Sequence, residues 1–222
     1  MTAATAFLLA FPSLFSIINP IGGALIFNGV MTPFAHSDRV ATAERVGMYA
    51  LLVLLGALWG GAYVLNFFGV SLGALRIAGG AVVALSAWSL LMSPDRHEDR
   101  NRRQRETAPE DTKGNPLEMA FFPLTLPFTT GPGTIAVAIT LGAERPTGGS
   151  GLIAFFLGVS AAALANAAIV WVFYRFADRV TGWMGASARS IVSRLTAFLL
   201  LCIGVQILVA GVGDVVAEWH LR

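Results

Sequence analysis

Six stretches of this 222-residue chain are long, apolar and almost free of charged side chains. A helix needs roughly 20 mainly apolar residues to cross the hydrocarbon core of a bilayer. Charged residues make up 13% of the chain, whereas soluble domains carry about 25%. The pattern therefore predicts an all-α membrane protein with six transmembrane helices and no sizeable soluble domain. The predicted spans are residues 3–30, 46–68, 72–92, 117–142, 152–176 and 191–212.

The segment between the third and fourth spans, residues 93–116, is crowded with charged side chains and nearly free of apolar ones. Such a segment cannot bury a core of its own. Nucleic-acid binding is an alternative explanation for its arginines, but the net charge of the chain is only +2. Basic residues between apolar spans are typical of cytoplasmic loops that face anionic lipid. We therefore predict a solvated cytoplasmic loop and no nucleic-acid partner.

Lysine and arginine are distributed unequally between the two sides of the predicted membrane. The positive-inside rule assigns the richer side to the cytoplasm, which places both termini outside it and predicts a multi-pass protein of the cell (inner) membrane. The richer side holds Arg39, Arg45, Arg96, Arg100, Arg102, Arg103, Arg105, Lys113, Arg175, Arg179, Arg189 and Arg194, and the other side holds Arg76, Arg145 and Arg222.

Two sequence features recur in the second half of the chain. Pro132 lies 112 residues after Pro20, and Arg194 lies 118 residues after Arg76. The chain therefore reads as two three-helix repeats, residues 1–92 and 117–222, joined by the charged loop. Because three is odd, the second copy crosses the membrane in the opposite direction, as in the inverted repeats of many secondary transporters.

Proline and glycine lie near the middle of the first and fourth spans. Proline removes a backbone donor and clashes with the preceding turn, while glycine leaves helical geometry at little cost. We predict that both helices are broken near mid-membrane. Freed backbone groups at that depth are tolerated only in protein or beside a watery cavity, and helix N-termini there attract anions. The predicted substrate-binding residues are Asn19, Pro20, Gly22, Gly23, Thr130, Gly131, Pro132 and Gly133. A plain proline kink without a ligand is the alternative for each break.

Other uncharged polar and small residues inside the spans have structural interpretations. Serine and threonine hydroxyls often bond back to their own helix, and Asn166 and Gln206 can bridge helices. The GxxxG pairs Gly56 with Gly60 and Gly69 with Gly73 predict close helix packing. The single cysteine, Cys202, excludes an intrachain disulfide. No metal or other cofactor is predicted.

The motifs Asn19-Pro20-Ile21-Gly22, Leu75-Arg76-Ile77-Ala78-Gly79-Gly80 and Pro127 through Gly131-Pro132-Gly133 together resemble the MarC family of membrane proteins. The resemblance extends over all six spans. It implies a six-span fold related to the LysE-like exporters, with extracytoplasmic ends, and some members are similar to transporters of small neutral amino acids. The charged loop after Met92 is longer than the family pattern implies.

Three classes of function are compatible with membrane proteins of this size. The broken helices favour a secondary transporter of a small neutral or zwitterionic solute such as glycine or alanine. Sodium or a proton is the candidate coupling ion, and the sequence is compatible with an oligomer. A channel or a non-transporting membrane assembly protein is the alternative. An intramembrane enzyme is disfavoured because no Gly-x-Ser-x-Gly motif is present and His36, His97 and His220 lie outside the predicted spans.

Overall fold

The computed structural model describes residues 2–92, 115–146, 151–183 and 186–220. Every regular secondary-structure element in these ranges is a helix. An irregular π-type segment, Ala120–Thr129, is termed the proline segment because it contains Pro123 and Pro127. The helices are α1 (Ala3–Ile18), α2 (Pro20–Met31), α3 (His36–Phe68), α4 (Leu72–Met92), α5 (Pro132–Ala143), α6 (Leu152–Arg175), α7 (Ala177–Trp183) and α8 (Ala186–His220).

The described helices supply the predicted number of membrane spans. Five helical stretches are long and apolar enough to cross a bilayer, with α1 and α2 counted together. The proline segment and α5 form a sixth when the bent pair is taken as one span. Helices α3 and α8 extend beyond the predicted second and sixth spans. Polar residues such as Asp38 and Glu44 continue α3, because a helix needs apolar residues only where it meets hydrocarbon.

The third and sixth spans pack against each other along their length, through facing glycines. Gly73 lies against Gly211, and Gly80 lies against Gly204, so that the two backbones approach closely. A Cβ atom added to Gly80 would lie 2.6 Å from the backbone nitrogen of Leu208. Small residues of this kind allow membrane helices to gain van der Waals contact where lipid offers no hydrophobic driving force.

The predicted packing role of the second-span GxxxG pair is wrong for this fold. A Cβ atom added at Gly56 or Gly60 would meet nothing within 4 Å among the described residues, whereas Gly61 lies against Ile139 of α5. Gly69 has φ +66° and ends α3, so it serves the turn, and only Gly73 of that pair packs closely. The spacing identifies a small-residue face, but which face a neighbouring helix covers depends on the tertiary arrangement.

Hydrogen bonds join the first predicted repeat to the loop and to the second repeat. Thr42 Oγ1 donates to the carbonyl of Pro116, the last residue of the loop, at 3.2 Å, and Trp59 Nε1 donates to Ser160 Oγ of the second repeat at 3.0 Å. Helix α6 packs on α1 and α3, while α5 packs on α3 and α4. The contact of α1 with α6 matches that of α5 with α3, whereas the contact of α5 with α4 has no equally extensive counterpart between α1 or α2 and α8. The inverted repeat therefore stays a prediction. The charged loop lies outside the described residues, apart from its last two positions.

Candidate functional site

The first predicted break lies at Asn19, between α1 and α2. Asn19 has φ 49° and ψ 69°, a left-handed conformation that few residues other than glycine and asparagine adopt readily. Its Oδ1 accepts a hydrogen bond from the Gly22 N–H at 3.2 Å, and Pro20 occupies the first position of α2. The break therefore follows from local sequence, and the Asn19 side chain serves as the cap of the second half-helix.

The second predicted break is larger and lies between the proline segment and α5. The two elements meet at a bend of 68°. Gly131 is extended (φ −68°, ψ 174°), and Pro132 begins α5. The peptide bonds before Pro123 and Pro127 are cis. The structure thus confirms both interruptions that proline and glycine predicted.

Three threonines of the fourth span satisfy the backbone of this distorted segment. The hydroxyls of Thr125, Thr129 and Thr130 each donate to the carbonyl five residues earlier, at 2.6, 2.7 and 3.1 Å. All three side chains are buried. These bonds satisfy the three hydroxyls within their own segment, and they identify a structural role for the Thr130 hydroxyl.

A residue that sequence reasoning missed, Tyr174 of α6, joins the two broken spans. Its hydroxyl lies 2.8 Å from Thr129 Oγ1, and its ring stacks on Phe27 of α2 with centroids 4.8 Å apart. The ring also occupies the space in which a side chain at Gly23 would lie. Next to Arg175 at the end of a span, a tyrosine is typical of the membrane interface, so the sequence carried no signal for this contact.

The eight predicted binding residues occupy different environments around the breaks. Those that are buried are Pro20, Gly23, Thr130 and Gly133; those that are half-buried are Asn19, Gly22 and Gly131; and Pro132 is exposed. Gly23 lies against Tyr174, whereas Gly133 lies against Val83 of α4. The structure therefore brings Gly23 and Thr129 together around one side chain and directs Gly133 toward another helix.

A partly open pocket of about 250 Å³ lies between the helices, and the eight predicted residues are not among those that line it. Ser13 precedes the first break by six residues, or about 9 Å of helix, and Thr140 follows the second. The cavity is lined by Ser13, Arg76, Val137, Thr140, Leu141, Gln206, Ile207 and Ala210. It therefore lies on one side of both breaks, and Tyr174, which contacts Gly23 and Thr129, lies on the other.

Ion pairs mark the two ends of the helical bundle. At the end nearer the cavity, termed the Arg76 end, Arg76 lies 2.6 Å from Asp214 and 3.4 Å from Glu144. At the opposite end, termed the Arg39 end, Arg39 lies 2.5 Å from Asp178 and also donates to the carbonyls of Phe34 and Thr32. Both clusters join the first half of the chain to the second.

Within the ranges that the structure describes, no group of three or more His, Cys, Asp or Glu side chains is placed to hold a metal ion. Cys202 is exposed on the outer surface of α8. The absence of a cofactor stays a prediction.

Comparison with known proteins identifies the family. The model of the MarC family of integral membrane proteins matches residues 4–216. The chain belongs to the MarC family. The inner membrane protein MarC of Salmonella typhimurium is 30% identical over 211 residues, which cover 93% of this chain and 94% of that relative.

Similarity to the MarC family extends to archaea. The inner membrane protein MarC of Citrobacter koseri is 30% identical over 217 residues, covering 93% of this chain and 94% of the relative. A membrane protein of Archaeoglobus fulgidus is 30% identical over 215 residues, covering 97% and 96%. No solved structure matches this MarC-family chain. The predicted resemblance is thus confirmed across nearly the whole sequence.

Proposed function

We propose that this MarC-family protein is a secondary transporter of a small neutral or zwitterionic solute, with glycine and alanine as the first candidates. One observation supports the proposal: both broken spans contact Tyr174 on one side of the breaks, and a cavity lies on the other side. Alternating access requires such an asymmetry, because a solute site must be reachable from one side at a time.

The side of the breaks on which Tyr174 packs has the tight contacts expected of a closed gate. The Tyr174 ring lies against Phe27 and Gly23, and its hydroxyl is 2.8 Å from Thr129. Tyr174 is 3% exposed and Phe27 is 1% exposed. Beyond them, Arg39 and Asp178 join α3 to α7 at the Arg39 end. Opening this side would require Tyr174 to leave the two breaks and the ion pair to separate.

The other side of the breaks supports an accessible chamber for a small molecule. Ligand sites for drug-sized molecules occupy about 300–1,000 Å³, and a cavity of about 250 Å³ lies just below that range. By the distribution of basic residues, the Arg76 end faces away from the cytoplasm. We propose an inner-membrane location with both termini outside the cytoplasm, an orientation in which the cavity lies on the external side.

A channel or a non-transporting assembly protein is the alternative, and a proton or sodium ion is the proposed coupling ion. Purified protein in proteoliposomes should take up labelled glycine or alanine saturably. It should also show counterflow, in which unlabelled solute inside drives transient accumulation of label. Linear uptake without counterflow would support a channel, and no uptake of any small zwitterion would contradict the transporter proposal.

Two proline variants test whether the break itself is needed. Pro20→Ala restores a backbone N–H that can reach the Ser16 carbonyl, so it favours a continuous first span. We expect slower transport with normal amounts of folded protein. Pro12 lies within α1 and its side chain is exposed, so Pro12→Ala is the matched control and should transport normally. Equal rates for both variants would show that the first break is not part of the mechanism.

A further inference from the structure

We propose that α2 is a lid over Tyr174, hinged at Asn19 and fastened at its far end by the side chain of Arg39. The inference rests on the proposed transport function, because it identifies the moving part of the closed gate described above. Displacement of the lid would uncover Tyr174 and both breaks toward the Arg39 end of the bundle.

The inner face of the lid covers Tyr174. The Tyr174 ring stacks on Phe27 with centroids 4.8 Å apart, and it occupies the space beside Gly23. Ile21, on another face, is 39% exposed. The buried residues of α2 share the inner face at helical spacing: Pro20, Gly23, Ala24, Phe27 and Met31. The lid can therefore leave Tyr174 as a unit without separating a second fully buried face.

A single residue, Asn19, forms the hinge between α1 and the lid. Its N–H donates to the Phe15 carbonyl at 3.0 Å, and its own carbonyl accepts from the Gly23 N–H at 2.9 Å. Its backbone is left-handed, with φ 49°. Because Pro20 has no backbone N–H, no bond from it ties the lid to the last turn of α1. A dihedral change at Asn19 would therefore redirect the whole lid, as in other hinges of a few residues.

Arg39, near the start of α3, fastens the other end of the lid. Its Nη2 donates to the Thr32 carbonyl at 2.7 Å, and its Nε donates to the Phe34 carbonyl at 2.9 Å. Thr32 is the residue at which α2 ends, and a cation is favourable beside the carbonyls of a helix C-terminus. Nη1 contacts Asp178 of α7 at 2.5 Å. One guanidinium thus joins the end of the lid to the second half of the chain.

Helix α3, which carries Arg39, is held on α6 by contacts that do not involve the lid. Gly47 packs closely on Trp171, since a Cβ atom added at Gly47 would lie 3.0 Å from the Trp171 Cβ. Glu44 lies 3.0 Å from Arg175. These contacts should hold α3 and α6 together while α2 moves. Loss of the Arg39 side chain should therefore free the lid and leave its frame in place.

Thiol labelling of purified protein measures how often the lid opens. Ala24 is buried on the inner face of the lid. In a Cys202→Ala background, Ala24→Cys should therefore react slowly with a charged methanethiosulfonate reagent. Arg39→Gln removes charge-assisted hydrogen bonds and should raise this rate at least about tenfold. Arg175→Gln is the matched control, because it removes an ion pair between α6 and α3 at the same end, and it should leave the rate unchanged.

Two further variants keep the test decisive. Asp178→Asn weakens the same fastening while Arg39 stays in place, and it should raise the Ala24→Cys rate about threefold to fivefold. Ala10 is buried in α1, before the hinge, so Ala10→Cys should stay slow when Arg39→Gln is added. Faster labelling at both cysteines, or at neither, would overturn the lid and leave the transporter proposal standing. Selective labelling of Ala24→Cys in a protein that takes up no small zwitterion would support the lid and remove the proposed transport function.

Discussion

The hydroxyl of Tyr174 lies 2.8 Å from Thr129 Oγ1, and this single contact ties the fifth span to the break in the fourth. The same ring stacks on Phe27 just beyond the break in the first span. One aromatic side chain therefore touches both interrupted helices. Its removal or movement would change the environment of both breaks at the same time.

Tyr174→Phe should weaken the link between the two breaks while keeping the ring in place. Thr129 keeps its bond to the Leu124 carbonyl, so the loss should be about 1 kcal/mol of unfolding free energy. Thermal unfolding in detergent should show a melting temperature lower by about 2–4 °C. Tyr49 contacts Phe121 through its ring, and Tyr49→Phe is the matched control. An equal shift in both variants would argue against a special role for the Tyr174 hydroxyl.

Glycine-to-alanine substitutions should lower stability only where the glycine is closely packed. A Cβ atom at Gly142 would collide with the carbonyl oxygen of Leu58, a backbone atom that cannot rotate away. Gly142→Ala should therefore destabilise the protein by about 1–3 kcal/mol, measured as a lower melting temperature and a lower yield of monodisperse protein. Gly56→Ala meets nothing within 4 Å and should change stability by less than about 0.5 kcal/mol. Similar losses at both positions would contradict the described packing.

Asn19 offers a test that separates capping from solute binding. Asn19→Gly keeps the left-handed backbone and, as an accepted N-cap residue, should cost only a few tenths of a kcal/mol. Asn19→Ala loses the side-chain cap and disfavours the left-handed backbone, so it should destabilise the protein by about 1–2 kcal/mol. If Asn19 acts only as a cap, the glycine variant should transport normally and melt near the wild type. Loss of transport by a stable glycine variant would show a direct role in binding the solute.

Cysteine labelling tests which end of the bundle faces the cytoplasm. In a Cys202→Ala background, a cysteine at Thr2 should react with an impermeant maleimide added outside intact cells. A cysteine at Pro33, in the exposed connection between α2 and α3 at the Arg39 end, should react only after the cells are permeabilised. The reverse pattern would overturn the orientation derived from the arginines.

The sequence predicted the parts of this fold that depend on local chemistry. The six spans follow from apolar length, and both breaks follow from Pro20, Pro132 and the residues beside them. The role of Tyr174 was not predictable because it depends on three spans meeting. The packing predicted for Gly56 and Gly60 was wrong, because the GxxxG spacing does not show which face of the helix a neighbouring helix covers.

The glycine-lined contact between α4 and α8 has a consequence for biosynthesis. The third span leaves the ribosome more than one hundred residues before its partner glycines Gly204 and Gly211. At about 5–20 residues per second, the delay is of the order of ten seconds. During that interval lipid chains, or an insertion chaperone, must cover the narrow groove around Gly73 and Gly80. A nascent chain stalled after the charged loop would thus leave the glycine face of the third span exposed to lipid.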